Sequence, residues 1–211
     1  MDLYFSPLAC SMATRIALAE AAAEATFIEV DPRTKRLPDG TDFRAVNPLG
    51  LVPVLRTDAG ELLFENAAIL QYVADRFPAA GLAPADPWQR ARLQQWLNFI
   101  ASEVHRGLFT ILLDPKAPAA AKEHAIAKGE SRLAYLDAHL AGREFLLDRF
   151  SVADAYLCVV LGWSRATSLD LGKWPNLKAY ASRLRKRASI ARALAVENPL
   201  YLAEQARHAA A

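Results

Sequence analysis

One change of pattern, about a third of the way along, limits what this chain can fold into more than any other feature. As far as Pro78, short β-branched runs alternate with helical ones. Beyond Pro87 the strand signals vanish, and alanine, leucine and arginine dominate. The first part reads as strand 2–5, helix 11–23, strand 26–30 and a polar loop over 31–42. Strands 52–56 and 61–64 follow, flanking the turn signal Asp58-Ala59-Gly60, and then a helix over 66–77 stopped by Pro78. A βαβ unit, a hairpin and a helix are satisfied by one small mixed sheet with helices packed on it. The expected organisation is an α/β domain over 1–78, a proline-rich linker over 79–87 and an all-α domain over 88–211. Helix breaks are expected near Asp114-Pro115, Pro118, Gly142, Ser151, 172–175 and Pro199, and the alanine-rich tail beyond Ala203 is expected to fray.

Composition removes several function classes. The 211 residues are 53% apolar, enough for a sizeable core. Lys and Arg total 25 against 23 Asp and Glu, a formal charge of +2, which argues against a nucleic-acid binder that works by neutralising phosphates. The basic cluster Arg183, Arg185, Lys186, Arg187 reads as a solvated helix end, where cations suit the dipole. Two cysteines are too few for a disulfide framework, and four scattered histidines have no metal-ligand spacing, so no metal is expected. Neither a signal peptide nor an apolar run of membrane-spanning length is apparent, so a cytoplasmic protein is expected.

The segment Asn47-Pro-Leu-Gly-Leu-Val-Pro-Val-Leu55 puts Pro53 in front of an apolar strand, where proline lacks a ladder donor. Two readings stay open. One is a plain turn into an edge strand. The other is a cis Val52-Pro53 bond that leaves the Val52 amide and carbonyl facing outward, able to pair with an extended peptide.

Four further places can carry chemistry. Cys10 follows the first strand through Ser6-Pro-Leu-Ala9, where the first helix begins and a thiolate is favoured, although a small buried core residue is the alternative. Ser11-Met-Ala13 follows, so no second cysteine completes a redox pair. Cys158, in an apolar helical run, is core. Glu65-Asn66 opens a helix: Glu65 can accept from an ammonium and Asn66 can donate to a carboxylate, or the two are an ordinary helix start. Asn98, Ser102 and His105, spaced by four and three, share one helix face, while Leu93, Leu97, Ile100 and Val104 take the core face. His105 is the member able to carry a proton near neutral pH. Finally, Ser151-Val-Ala-Asp154 has the form of a capping box, structural and not catalytic, whose loss costs about 1 kcal/mol or more.

Together these pieces resemble the cytosolic glutathione transferase family over nearly the whole chain. The segment 47–53, the Glu-x-Ala-Ala-Ile pattern from Glu65 and the Ser151–Asp154 box occur in family order. Cys10 within Ser6-Pro-Leu-Ala-Cys-Ser11, and Gln95-Trp-Leu-Asn-Phe-Ile100 leading to Glu103-Val-His-Arg106, are similar to the bacterial beta class. The resemblance implies a thioredoxin-like first domain, an all-helical second domain and a homodimer. It also implies glutathione as co-substrate, with Cys10 beside its sulfur. Val52 and the neighbouring Leu51 and Pro53 would meet the cysteinyl unit, Glu65 and Asn66 the γ-glutamyl end, and Lys35 the glycine end. Asn98, Ser102, His105 and Arg106 would approach the sulfur. Asn66 replaces the serine of most relatives, and Leu51 a tyrosine frequent in close ones. The implied activity is attack of the glutathione thiolate on a hydrophobic electrophile, with thiol exchange or peroxide reduction through Cys10 as further routes, and Ser11, Tyr4 and Ser6 as auxiliary hydroxyls. A non-catalytic, ligandin-like carrier of hydrophobic compounds is the alternative.

Overall fold

The structure is a computed structural model, and it describes residues 1–210. Two compact units divide the chain: residues 1–82 with 188–211, and residues 83–187. The first unit contains β1 (Asp2–Phe5), α1 (Met12–Glu20), β2 (Thr26–Glu29), β3 (Val54–Arg56), β4 (Leu62–Phe64) and α2 (Asn66–Arg76). The second contains α3 (Pro87–Phe99), a π-helical stretch Ile100–Phe109, α4 (Thr110–Leu113), α5 (Ala119–Leu140), α6 (Val152–Gly162) and α7 (Pro175–Leu184). The last helix, α8 (Ala188–Ala209), joins the first unit. This differs from the sequence division, which places it with the helical part.

The sheet order is β2-β1-β3-β4, with β1 parallel to β2 and antiparallel to β3, and β3 antiparallel to β4. The β1–α1–β2 connection makes the parallel pair, and the turn signal at 58–60 makes the hairpin, closed by Thr57 and Glu61 and by Gly60 at φ 84°. β3 is interior, so the edge-strand reading of Pro53 is overturned, and the Val52-Pro53 bond is cis. Leu3, Val54 and Leu55 of the sheet are buried together with Ile16 of α1 and Ile69, Leu70 and Val73 of α2. Each such aliphatic side chain contributes roughly 1.5–3 kcal/mol by burial.

α8 overturns two expectations. It runs through Pro199, and it stays helical well past Ala203. Proline in a helix interior costs about 3 kcal/mol. Anchors on both sides of it offset that cost. Before it, Ile190 and Ala193 are buried, and Glu197 forms a 2.7 Å ion pair with Arg15 of α1. Beyond it, Arg207 pairs with Glu29 and His208 with Asp31. An isolated alanine-rich end would fray; this one is tethered.

In the second unit Asp86 caps α3 by accepting from the Gln89 amide, with Pro87 at the first helical position. The Ser151–Asp154 capping box opens α6. Buried Asp154 accepts from the amides of Ser151 and Leu146, the Ser151 hydroxyl and the Tyr180 hydroxyl. Burial pushes its pKa upward against those four hydrogen bonds. The basic cluster lies at the C-terminal end of α7, as expected.

Candidate active site

Cys10 is 8% exposed, two residues ahead of α1, and its Sγ lies 3.6 Å from the Val52 carbonyl oxygen. The Val52 amide forms no hydrogen bond among the described residues. Val52 lies outside the ladder, one residue before buried Pro53, while Leu51 is 40% exposed. The turn that presents this segment is built by Asn47, which donates from Nδ2 to the Leu51 carbonyl and accepts from the Leu49 amide. Sequence reading passed over Asn47 as a ligand of its own loop, although an asparagine before Pro-Leu-Gly is a turn signal. The Lys35 stem packs on Gly50, where a Cβ would come within 3.3 Å of Lys35 Cδ. Lys35 is half-buried, and burial followed by the neighbouring Arg44 charge lowers its pKa.

Asn66 begins α2 and is buried. Its Oδ1 accepts from the Thr14 hydroxyl at 3.1 Å, and its Nδ2 has no partner among the described residues. A buried donor without an acceptor costs about 1–3 kcal/mol. Glu65, exposed at the cap position, makes no side-chain cap and has φ 66°. Leu8 and Lys35 likewise adopt left-handed backbone, φ 58° and 60°. Such geometry costs a non-glycine residue on the order of 1 kcal/mol. Among the described residues, three of the four non-glycine residues with positive φ therefore belong to the loops around Cys10, Val52 and Asn66. Leu8 is held there by its amide donating to Glu197 of α8 at 2.7 Å. No local pattern marks Glu197, which stands two residues before Pro199 and 182 residues from Arg15.

The structure reassigns the auxiliary hydroxyls. Ser6 donates to the Val30 carbonyl, Ser11 donates to the Ser6 carbonyl, and Tyr4 is buried. Ser11 is therefore committed to its own turn and is not a spare donor. Cys158 is core, and burial pushes its pKa up to about 12.

In the second unit Asn98 and Ser102 are exposed, as expected, and Leu93, Leu97, Ile100 and Val104 are buried. Asn98 Nδ2 donates to the Gln94 carbonyl and Ser102 Oγ to the Asn98 carbonyl. Arg106 is exposed. His105 departs from the trio. A shared face for all three requires α-helical steps throughout, but from Ile100 to Phe109 the turn is π-helical. An i→i+5 turn takes more residues per revolution, so each side chain lags its α-helical position. Gly107 fits this: a Cβ there would meet the Ser102 carbonyl oxygen at 2.9 Å. His105 consequently stands edge-on to Trp163 and Tyr156, with Nδ1 2.7 Å from the Tyr156 hydroxyl. Burial, and then the Arg106 charge, lower its pKa to about 4. It is a neutral hydrogen-bonding group at neutral pH, not the proton carrier expected from its ordinary pKa.

Residues 9–76 match the glutathione S-transferase N-terminal domain, and residues 99–188 its C-terminal domain. The glutathione S-transferase GstA of Escherichia coli O157:H7 is 40% identical over 199 residues, 93% of this chain and 98% of that protein. The chain belongs to the glutathione S-transferase family. Among solved glutathione S-transferases, BphK in its ternary complex superposes with a TM-score of 0.91 at 43% identity, covering 94% of this chain and all of that one (100%). The beta-class enzyme of Sphingomonas chungbukensis gives 0.89 at 43% identity, covering 93% and 98%. A sphingomonad glutathione S-transferase complexed with glutathione gives 0.89 at 44% identity, covering 94% and 99%. This chain is thus an enzyme of the glutathione S-transferase type, most like the bacterial beta class, with a thioredoxin-like first domain. No helix among the described residues is long and apolar enough to cross a membrane.

Proposed function

We propose that reduced glutathione docks on the first unit as an added strand against Val52, and that its thiolate attacks a hydrophobic electrophile. The observation that carries this reading is the Val52 amide, which forms no hydrogen bond among the described residues while the Val52 carbonyl lies beside Cys10 Sγ. A peptide's cysteinyl unit supplies the missing acceptor, and that pairing brings its sulfur to Cys10. The unpartnered Asn66 Nδ2 and the free-standing Glu65 carboxylate suit the γ-glutamyl carboxylate and ammonium. Lys35, its stem along Gly50, suits the glycine carboxylate, and Leu51 and Pro53 border the cysteinyl unit. Asn98, Ser102, His105 and Arg106 are assigned to the sulfur by resemblance. The exposure of Asn98, Ser102 and Arg106, and the neutral imidazole of partly buried His105, suit hydrogen-bond donation to a thiolate.

In the conjugation step the glutathione sulfur forms a bond to carbon, and the leaving group departs with its electron pair. The thiol proton passes to solvent when the thiolate forms. With a disulfide as co-substrate, Cys10 thiolate instead forms an S–S bond while a thiolate leaves. We further assign this chain to a homodimer in the cytoplasm. Calorimetry with glutathione at neutral pH, followed by turnover of an aryl halide, tests the reading; absence of heat at millimolar ligand refutes it. Replacing Cys10 with alanine separates the routes. Conjugation is expected to survive Cys10→Ala, whereas exchange with mixed disulfides disappears. Retained exchange would remove Cys10 from the mechanism.

A further inference from the structure

The end of α8 meets the loop that carries Lys35 through one buried imidazole. His208 is 7% exposed, with Nε2 2.8 Å from Asp31 Oδ2 and Nδ1 3.9 Å from Glu204 Oε1. The other Asp31 oxygen, Oδ1, accepts from the amides of Arg33 and Thr34, both at 2.8 Å. The Asp31 carbonyl accepts from the Lys35 amide at 2.9 Å, and the Lys35 carbonyl accepts from Phe43. One carboxylate therefore ties the left-handed turn at Lys35 with one oxygen and the C-terminal helix with the other. Beside His208, Arg207 pairs with Glu29 of β2 at 2.7 Å, so the helix end is fastened at two points. Burial opposes the charge on Asp31, but the Thr34 amide, His208 and the Arg33 amide outweigh it and hold its pKa down at about 2.

We propose that His208 is a positioning residue for glutathione: by orienting Asp31 it sets the loop from which Lys35 meets the glycine carboxylate. The inference rests on the reading of Lys35 given above. His208 touches no substrate in this account, so its effect must pass through Lys35. A residue that only stabilises the fold would lower melting temperature and active fraction, hence kcat, and leave the KM for glutathione alone.

The test is conjugation kinetics with an aryl halide on four variants: His208→Phe, His208→Gln, Lys35→Ala and the pair His208→Phe with Lys35→Ala. Loss of about 1 kcal/mol of loop positioning is about fivefold in affinity. His208→Phe is expected to raise the glutathione KM by about that factor, with kcat and the KM for the halide unchanged. His208→Gln, which keeps a donor toward Asp31, is expected to recover most of it. In the Lys35→Ala background, His208→Phe is expected to add nothing, because both act through one contact. If Lys35→Ala raises the glutathione KM and His208→Phe does not, or if the two effects multiply, the positioning role is wrong while the glutathione site stands. If Lys35→Ala is itself silent, the assignment of Lys35 fails and the role of His208 falls with it.

Discussion

Asp154 and Asn66 are both polar side chains sealed inside the protein, 0% and 5% exposed, and both stand in the first turn of a helix. They differ in company. Asp154 receives four hydrogen bonds and leaves no oxygen idle. Asn66 spends its oxygen on Thr14 and leaves its amide nitrogen without an acceptor. A fully served buried group holds architecture together, whereas a half-served one points to something that arrives later. His105 stands between them, with one ring nitrogen on Tyr156 and aromatic walls on two sides.

The comparison breaks first at Asp154. Asp154→Ala strands Tyr180, Leu146 and Ser151 donors in the core and is expected to cost roughly 3–5 kcal/mol, measured by urea unfolding. A loss under about 1 kcal/mol would mean the network is not structural.

His105 gives the next largest effect, through pH. Its folded pKa of about 4 lies below the ordinary 6.5, so the unfolded chain takes up the proton first. Stability is therefore intact above pH 6.5 and falls as pH drops toward 4, by on the order of 3 kcal/mol for this mostly buried ring. His105→Gln is expected to flatten that slope in unfolding curves collected between pH 4 and 7. An imidazole resonance that titrates with a midpoint above 6 would contradict the buried, neutral ring.

Asn66 gives the smallest change in energy and the sharpest contrast. Asn66→Ala is expected to leave stability within about 1 kcal/mol, because it removes an unserved donor along with one hydrogen bond to Thr14. The same variant is expected to weaken glutathione binding about tenfold in calorimetry. Loss of stability without loss of binding would place Asn66 beside Asp154.

The sequence carried the sheet, the helical half and the capping box because each rests on local chemistry: the β-branched, alternating run 26–30, the Asp58-Ala59-Gly60 turn, and Ser151 with Asp154 three residues on. Cys10 beside Val52 was legible through the resemblance, since 42 residues separate them and no periodicity spans that gap. Three features were not legible. The π-helical stretch depends on Gly107 and on packing around it, and a 3.6-residue repeat cannot register it. The depressed His105 pKa comes from burial and Arg106, the first of them a property of the folded state. The continuity of α8 across Pro199 comes from ion pairs reaching back 177 to 182 residues along the chain, to Arg15, Glu29 and Asp31; composition alone reports a proline and a run of alanines.

Because α8 completes the first unit, that unit is discontinuous, and the helical unit is an insertion within it. Cutting after Leu82 would not liberate a miniature thioredoxin. The fragment would keep Arg15 stacked on Phe5 and Phe27 with no carboxylate opposite, and the Leu8 amide with no acceptor from Glu197. Anyone grafting this half onto another scaffold must carry the last two dozen residues with it, spliced back through a designed linker.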